Sequence, residues 1–580
     1  MKKNINLLFL VFLIFFAEGC EKQLLDKKPL DIITDAQVWN DPNLIKAYVD
    51  NLYSRAPMSG LYMAENPALL ITTLVVSDEG CTNYVWNTPD RSISGSLDAS
   101  GGELEYWDYT LIRDINSFLI NIKTGTVPED DKKQYSAQVR FLRALAYFEM
   151  VKRYGGVPIV LKPQNITDGD ALFVPRNKEK EVYDLIGKEC DTISAVLPES
   201  YSSSDIGRVT KYAALALKSR AMLYAASIAK YGTEQLDGLV GIPKSDANSY
   251  WQASLDASKA IMDDHKFELF NKYPEDKAKN YQMIFLEKDN SEIILAKKFI
   301  SKIYGHGFDD QTQPNFNYTY WGGCFSPSME LADAFEMKDG SSGVIDWPNI
   351  KGQERVIFKN KDPRFEASIM YNGQQWAWDT CRIWKGIYTE TGEAKNSETE
   401  QYKGMDEVGR DQKTSQGPTT GFLLKKFLDP TKVFPLDLES DQDWILFRYA
   451  EILLNYAEAS FELDHPDDAL DPINQIRTRA GITALGSVTL DQIRQERRIE
   501  LVFETHRFWD IRRWRIADQF LGKNLHGAYP YYHFATNQFE YEVGNADFFN
   551  RVWKQAYYYY PINETRINNN PKLIENPGYN

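Results

Sequence analysis

The chain has 580 residues and a formal net charge of −16 at pH 7. That length allows a large buried core and several domains, and the acidic balance argues against a nucleic-acid-binding protein, which normally presents a basic face. Tyr (34), Phe (30) and Trp (13) are frequent. Many of these aromatic residues stand beside Gly, Asn and Pro in loop-like sequence, where ligand stacking is one reason for their presence.

The first predicted element is an export signal over residues 1–19. Two lysines precede an apolar run, Ile5 to Ala17, which is followed by Gly19-Cys20. At about 1.5 Å per residue this run spans about 20 Å, less than the roughly 30 Å hydrocarbon core of a membrane. We therefore expect it to be removed. A cysteine at the cut resembles bacterial lipoproteins, which makes Cys20 the predicted lipidation site; the alternative is an ordinary secretory signal.

Residues 20–40 indicate an extended tether, and pairs of helical patterns follow it. The predicted pairs are 138–154 with 179–197, 209–229 with 250–264, and 444–463 with 466–481. Each joins a helix rich in Ala and Tyr to a second helix that carries small residues, which let two helices approach closely, as in tetratricopeptide hairpins. The predicted fold class is mainly α, with a tetratricopeptide-like helical hairpin scaffold mainly over residues 41–300 and 444–515.

Between residues 300 and 443 the sequence becomes rich in Gly, Asn, Pro, Thr and Trp. A loop-rich stretch of that length inside a compact protein is usually functional. We predict a large, loop-rich, irregular ligand-binding region, mainly 77–110 and 300–443, within one domain spanning 41–580.

A charged cluster lies near the C-terminal end of the scaffold. Three glutamates recur at i, i+4 and share a helix face, with arginines close by in sequence: Glu496, Glu500, Glu504, Arg477, Arg479 and Arg507. Like charges at this spacing repel unless they are paired, which predicts a salt-bridge network between helices. The alternative is a glycosidase acid/base pair, but neighbouring arginines are a poor setting for a carboxylic acid with a raised pKa.

Neither a metal nor a cofactor is predicted. The four cysteines after Cys20 either pair as disulfides or remain buried thiols, and we expect thiols: Cys81, Cys190, Cys324 and Cys381. Their wide separation lacks the spacing of a zinc site. Acidic clusters such as the one from Asp437 to Asp443 lack the spacing of a calcium loop.

Seven sequence blocks, in order, cover nearly the whole chain. They are RFLRALAYFEMVKRYGGVPIV (140–160), LADAFEMKDG (331–340), DPRFEASIMYNG (362–373), RYAEILLNYAEA (448–459), INQIRTRAG (473–481), ERRIELVFETHRFWDIRRW (496–514) and YYPINETRINNNPKLIENPGY (559–579). Together they resemble the SusD/RagB family of outer-membrane lipoproteins from glycan-foraging Gram-negative bacteria.

The resemblance implies a surface lipoprotein that is anchored in the outer membrane and is not an enzyme. It would capture an extracellular oligosaccharide or polysaccharide and pass it to a SusC-like TonB-dependent transporter barrel. Because some relatives handle peptides, the alternative is a peptide-capturing lipoprotein that works with the same type of transporter. A tetratricopeptide adaptor that binds only protein is a third possibility.

Sugar chemistry selects the binding-site candidates. Aromatic rings cover the apolar C–H faces of a pyranose, while Asn, Asp and Arg bind its hydroxyl groups. Three loop clusters offer that mixture: Asn83, Tyr84, Trp86, Asn87 and Arg91; Tyr318, Tyr320 and Trp321; Trp376 and Trp378. The resemblance implies ligand contact for the first loop. Trp376 and Trp378, at i, i+2, would point to the same side of a strand, with core burial as the rival explanation.

Overall fold

The computed structural model describes residues 35–58, 73–82, 91–317, 322–352, 354–388, 418–533 and 536–579. The predicted signal and Cys20 lie outside these ranges. The longer α-helices are α1 Pro42–Arg55, α2 Tyr109–Asn121, α3 Glu129–Tyr154, α4 Glu179–Ser194, α5 Lys211–Tyr231, α6 Ala247–Asp263, α7 Lys277–Met283, α8 Tyr449–Glu462, α9 Pro466–Ala480, α10 Leu490–Glu500 and α11 Arg507–Arg513. Shorter helices are Asp35–Val38, Arg91–Ser94, Phe308–Thr312, Met329–Ala334, Glu354–Phe358, Pro363–Ser368, Ala517–Phe520 and Glu564–Asn569.

The helices pack as the predicted hairpins. Helix α3 packs on α4, α5 on α4 and α6, and α8 on α9 and α6. Small buried residues allow the close approach of α5, α6 and α8: the hydroxyls of Ser219 and Ser258 lie 2.8 Å apart, and Asn455 Nδ2 donates to Ser219 Oγ at 2.9 Å. The fold is mainly α with a tetratricopeptide-like hairpin scaffold, as predicted.

One predicted helix start lies inside a strand. The sequence predicts a helix from residue 444, but α8 begins at Tyr449, because Trp444–Arg448 forms a strand that pairs antiparallel with Ile293–Lys297. All five residues of this strand are buried. A short apolar run that is buried on both faces has no periodicity that separates strand from helix, so the sequence pattern alone could not place this boundary.

The strands are short and form small sheets between the helices. They are β1 Gly80–Thr82, β2 Ile293–Lys297, β3 Phe325–Pro327, β4 Lys351–Gly352, β5 Ile369–Tyr371, β6 Gln375–Trp376, β7 Asp379–Thr380, β8 Lys385–Tyr388, β9 Phe422–Leu424, β10 Trp444–Arg448, β11 His526–His533 and β12 Gln538–Asn545. One sheet has four strands in the order β4-β12-β11-β8, and the pairs β1-β3, β2-β10, β5-β9 and β6-β7 make two-stranded ladders.

The predicted salt-bridge network is confirmed, and it is buried. Glu500 accepts hydrogen bonds from Arg448 at 2.6 Å and Arg364 at 2.9 Å, and it also pairs with Arg479. Glu496 pairs with Arg364 at 2.6 Å and with Arg477 at 3.1 Å. Burial alone would raise the pKa of Glu500, but the surrounding arginines outweigh it and hold that pKa well below its usual range.

The outer members of this network differ from the expected ones. Glu504 lies beyond the end of α10 and pairs with Arg448 at 2.6 Å and Lys426 at 2.8 Å. Arg507, an expected partner of Glu504, pairs instead with Asp78 at 2.7 Å. The network therefore ties the helical frame to the segment that precedes β1.

Two further observations concern the cysteines and the membrane. Cys81, Cys190, Cys324 and Cys381 are all buried and none of them forms a disulfide, as expected. Burial raises the pKa of the Cys190 thiol well above its usual range. Within the described ranges, no helix combines the length and apolar character needed to cross a bilayer.

Candidate functional site

Trp378 occupies a tight turn at the surface. Strands β6 and β7 pair Gln375 with Thr380 and Trp376 with Asp379, which leaves Ala377 and Trp378 as the two turn residues. Ala377 has a φ of 48°, the left-handed conformation that two-residue hairpin turns require. The turn places the Trp378 side chain outward, where it is 54% exposed.

The exposed indole is held on one side by its neighbours. Its Nε1 donates to Asn317 Oδ1 at 3.0 Å. The buried ring of Phe316 packs edge-on against it with centroids 5.4 Å apart, and Phe434 lies at 6.1 Å. Because the ring is exposed but fixed by a hydrogen bond and a packed neighbour, it offers a flat surface at little entropic cost to a ligand.

Trp376 behaves differently, and the expectation that both tryptophans share one side of a strand is wrong. Trp376 is only 4% exposed, and its Nε1 donates to Gln313 Oε1 at 2.6 Å. Strand β6 is two residues long, so the turn begins directly after Trp376 and reverses the direction of the next side chain. Trp376 presents no face to a ligand, and core burial, the rival explanation, describes it.

A chain of amide hydrogen bonds connects the two tryptophans. Gln313 Oε1 accepts from both Trp376 Nε1 and Asn317 Nδ2, the latter at 3.2 Å. Asn317 also donates to the carbonyl of Lys432 at 3.0 Å. All of the Asn317 side chain is buried, so the residue that binds the exposed indole is itself fixed from three directions.

The other two predicted clusters lie mostly outside the described residues. This applies to Asn83, Tyr84, Trp86, Asn87, Tyr318, Tyr320 and Trp321. Their described flanks nevertheless converge. Thr82, the residue before the first cluster, pairs with Phe325, four residues after the second cluster, while Asn317, the residue before Tyr318, binds Trp378. The described flanks of the second cluster therefore contact a flank of the first cluster and Trp378 of the third.

Arg91 is the one described member of the first cluster. Its Nε lies 3.3 Å from Glu103 Oε1, and its Nη1 donates to Ser100 Oγ at 2.6 Å. The short helix that it begins is bridged to Val552 through Ser94, and the adjacent Arg551 donates to the carbonyl of Gly80 at 3.2 Å. Arg91 is already paired with a carboxylate, and its helix is connected to β1 through Arg551 and Val552.

Two buried carboxyl groups anchor the start of β1. Asp78 pairs with Arg498 at 2.8 Å and with Arg507 at 2.7 Å, and although burial opposes it, these arginines hold the Asp78 pKa well below its usual range. Glu79 accepts a hydrogen bond from the backbone N–H of Phe503 at 2.8 Å. Burial raises the pKa of Glu79 to about 7. The base of the first cluster is thus fixed to the loop after α10.

Carboxylates in the acidic stretch before β10 are paired with lysines. Asp443 pairs with Lys298 at 2.7 Å, and Asp441 pairs with Lys432 at 2.8 Å. Across the part of the chain that the structure describes, no group of three or more His, Cys, Asp and Glu side chains is arranged to hold a metal ion.

Sequence reasoning missed several residues of this region. The sequence pattern does not identify Phe316 and Asn317, which directly precede the second cluster. It does not identify Phe434 either, although Val433-Phe434 interrupts a polar stretch before Pro435. A second aromatic group, Trp384 with Tyr532 at 5.5 Å, lies on the four-stranded sheet. The signal for Phe434 was an aromatic residue beside proline in a polar loop.

This region presents a fixed aromatic plane beside buried amides. Such a plane can stack on the apolar face of a ring, and the polar groups around it can bind hydroxyls.

Two family profiles match the chain. The profile described as "SusD family" matches residues 291–579, and the one described as "Starch-binding associating with outer membrane" matches residues 25–223. A SusD-like protein of Formosa agariphila is 23% identical over 557 residues, which cover 90% of this chain and 93% of that protein. The chain is similarly 23% identical to a SusD-like protein of Bacteroides ovatus, with 89% and 83% covered.

Solved structures give the same result. A SusD-like protein from Bacteroides fragilis superposes with a TM-score of 0.76 at 29% identity and covers 95% of this chain and 100% of its own. A SusD-like carbohydrate-binding protein from the same species has a TM-score of 0.72 at 22% identity, with 93% and 100% covered. The matched descriptions support a protein that is associated with the outer membrane. By its profile matches, its relatives and its fold, the chain belongs to the SusD/RagB family.

Proposed function

We propose that this protein is a cell-surface glycan-binding lipoprotein. It captures an extracellular oligosaccharide or polysaccharide and passes it to a TonB-dependent outer-membrane transporter, and Cys20 carries the lipid anchor. The observation that supports glycan binding most directly is Trp378, an exposed indole fixed by Asn317, the residue directly before the second aromatic cluster. A carbohydrate-binding relative with the same fold gives independent support.

The proposed ligand contacts combine stacking with hydrogen bonds. Trp378 covers one face of a sugar ring, and the aromatic and amide residues of the first two clusters supply further contacts. We retain Trp86 and Trp321 as proposed stacking residues, with Arg91 at the edge of the site. Trp376 is excluded because its ring is buried.

We also propose that the protein has no glycosidase activity. The carboxylates that could have formed an acid/base pair are engaged by arginines: Glu496 and Glu500 share Arg364, and Glu500 has Arg448 as well. A general acid for glycoside cleavage needs a raised pKa and access to the sugar. Glu500 is fully buried and has a lowered pKa. Burial raises the pKa of Glu496, but that side chain is buried as well and gives a sugar no access.

The test is a glycan array followed by calorimetry on the soluble chain that begins after Cys20. Once a ligand is found, Trp378→Ala should weaken its binding by about 1–3 kcal/mol, because an anchoring aromatic ring is lost. Phe548→Ala is the matched control, since Phe548 is also an exposed aromatic residue but lies outside the three clusters. It should leave the affinity unchanged.

A peptide library on the same array tests the alternative function, which is peptide capture. Binding of peptides without any glycan would replace glycan capture by peptide capture. If a glycan binds and the alanine variants at Trp86, Trp321 and Trp378 all keep full affinity, stacking at this site is not the mode of recognition.

A further inference from the structure

A cavity of about 420 Å³ lies between the end of helix α5, the segment after α11 and the C-terminal segment. Its lining includes Tyr231, Thr233, Arg515, Asp518 and Tyr559. None of its described lining residues belongs to the three aromatic clusters, so the cavity is separate from the Trp378 site. Ligand pockets usually have volumes of about 300–1,000 Å³. The cavity is therefore large enough for a small organic ligand.

Arg515 is held in a fixed orientation at the wall of this cavity. Its Nη2 donates to Tyr559 Oη at 2.7 Å, and its Nη1 donates to the carbonyl of Arg512 at 3.3 Å. The guanidinium lies 4.6 Å from the ring centre of Tyr558 and 4.9 Å from that of Tyr559. Arg515 has a φ of 59°, a conformation that is rare for non-glycine residues and concentrates at functional sites. The side chain is thus positioned by its neighbours and keeps further N–H groups for a ligand.

The charge of Arg515 is not paired with a carboxylate. Among the described residues, no carboxylate oxygen lies within 4 Å of its guanidinium nitrogens. Tyr559 connects it to a buried carboxyl group, because the tyrosine hydroxyl donates to Glu179 Oε2 at 2.8 Å. Burial raises the pKa of Glu179 to about 7. Below pH 7 this carboxyl group is mostly neutral, and it does not balance the positive charge of Arg515.

Arg512 adds a second positive charge behind the wall. Its Nη2 donates to the carbonyl of Tyr558 at 2.7 Å, and the side chain is only 2% exposed. Within the part of the chain that the structure describes, Arg512 also has no carboxylate oxygen within 4 Å. Other buried arginines, such as Arg448 and Arg513, are paired with glutamates. The cavity therefore has a local positive potential in a protein of net charge −16, and this potential favours an anionic ligand.

The rest of the lining indicates which kind of anion fits. The planar guanidinium of Arg515 matches the geometry of a carboxylate. Polar side chains that can bind hydroxyl groups share the cavity with it: Thr233, Gln235, Gln555 and Asp518. Asp518 is exposed and lies outside ion-pair distance of Arg515. It accepts hydrogen bonds from hydroxyls but repels a second negative charge. The lining therefore suits a hydroxylated molecule with a single carboxylate that contacts Arg515.

We propose that this cavity is a second binding site, which takes one acidic sugar unit, a pyranose that carries a carboxylate. The carboxylate contacts Arg515, and the ring hydroxyls contact Asp518 and Gln555. This site goes beyond the proposed function, because it uses other residues than the Trp378 site and has a different ligand class. An acidic sugar binds here whether or not a glycan binds beside Trp378.

Ligand-observed NMR titrations of the purified full chain at pH 6 test this site with D-glucuronate, D-glucose and acetate. Glucuronate should bind at least about tenfold more tightly than the other two, because glucose lacks the carboxylate and acetate lacks the hydroxyls. Arg515→Gln should weaken glucuronate binding at least about tenfold. Arg113→Gln is the matched control, since Arg113 pairs with Asp114 at 3.2 Å on helix α2 and is outside the cavity lining. It should leave glucuronate affinity unchanged.

A second variant keeps the test decisive if Arg515→Gln does not fold. Asp518→Asn keeps an oxygen for a hydroxyl group but removes the repulsive charge, so it should raise glucuronate affinity at least about twofold. An unchanged or lower affinity of this variant overturns the proposal. So do equal affinities for glucuronate and either glucose or acetate, an absence of glucuronate binding, or full affinity in a folded Arg515→Gln protein.

The Trp378→Ala variant separates the two sites. It should bind glucuronate as the original chain does, even though its affinity for a longer glycan is lowered. Loss of glucuronate binding in Trp378→Ala, with full binding in Arg515→Gln, would assign the acidic sugar to the Trp378 site and overturn the proposal. If glucuronate binding depends on Arg515 and a glycan array gives no ligand, glycan capture at Trp378 fails and the cavity site stands.

Discussion

The helical frame and the loop surface around Trp378 hold their side chains in place by different means. In the frame, Arg448 lies between Glu500 and Glu504, at 2.6 Å from each, and all three are buried. At the loop surface, Trp378 is exposed and is held by the neutral amide of Asn317. The frame therefore depends on buried charge pairs, and the loop surface depends on turn geometry and amide contacts.

This difference has a consequence for how each region tolerates substitution. Removing one partner of a buried ion pair leaves an uncompensated charge in a medium of low polarity. Removing an exposed aromatic ring leaves only water in its place. Binding can therefore be altered at the loop surface while the frame remains folded, which suits a family in which one scaffold serves different ligands.

The largest expected effect is at the centre of the buried network. Arg448→Met should lower the free energy of unfolding by about 3–5 kcal/mol, because Glu292, Glu500 and Glu504 all lose a positive partner. Chemical denaturation of the soluble chain measures this change. Lys259→Met is the matched control: Lys259 pairs with Asp263 at 2.9 Å on the exposed side of α6. It should leave the free energy of unfolding nearly unchanged, because solvent screens an exposed ion pair.

Equal losses of unfolding free energy for Arg448→Met and Lys259→Met would contradict a frame that depends on buried charge pairs, because the buried network would then contribute no more than a surface ion pair. A large loss of unfolding free energy for Arg448→Met, with unchanged glycan affinity of the folded fraction, would support the contrast between the frame and the loop surface. That result would separate the stability of the frame from recognition at the loops.

The next effect is a pH dependence that originates at Glu79. Burial raises the pKa of this carboxyl from 4.5 to about 7 in the folded protein. The folded state therefore binds an extra proton between these values, and the stability that this proton contributes is present below pH 4.5 and is lost as the pH rises to 7. Its size is about 3 kcal/mol, since one pKa unit corresponds to about 1.36 kcal/mol.

Glu79→Gln removes this titration while keeping an oxygen for the N–H of Phe503. Between pH 5 and 7, the unfolding free energy of the original chain should therefore fall relative to that of the variant. Denaturation curves of both proteins at pH 5, 6 and 7 give the difference directly. Parallel curves across this range would mean that Glu79 titrates in the folded state as it does in water.

Much of the frame could be predicted from the sequence, because helical periodicity and flanking Gly or Pro residues are local signals. The second hairpin is an example: a helix is predicted at 209–229 and observed at Lys211–Tyr231. The glutamate cluster was also recognisable from its spacing. Its main partner Arg448 was not, because it is 52 residues away from Glu500, and only the strand pairing of β10 places it there.

The candidate site was less accessible to sequence reasoning. Trp376 and Trp378 are the same type of residue two positions apart, yet Trp376 is buried and Trp378 is exposed. The difference arises at Ala377, whose positive φ makes a two-residue turn. Such turns are usually marked by Asn or Gly, and neither stands at the turn positions. The contact between Asn317 and Trp378 joins residues 61 apart and has no local signal.

The smallest expected effect tests this turn. Alanine in the left-handed conformation lowers the free energy of unfolding by about 1–2 kcal/mol through strain in the folded state. Glycine relieves this strain but lowers the free energy of unfolding by about 0.4–1 kcal/mol, because it increases the entropy of the unfolded chain. Ala377→Gly should therefore raise the free energy of unfolding by a few tenths of a kcal/mol to about 1 kcal/mol. The same substitution at Ala253, inside helix α6, should lower it by about 0.5–1 kcal/mol. Opposite signs in the two denaturation experiments would show that the loop surface is built on an unfavourable turn and the frame on favourable helical backbone. If both variants lose stability equally, strain at Ala377 does not position Trp378.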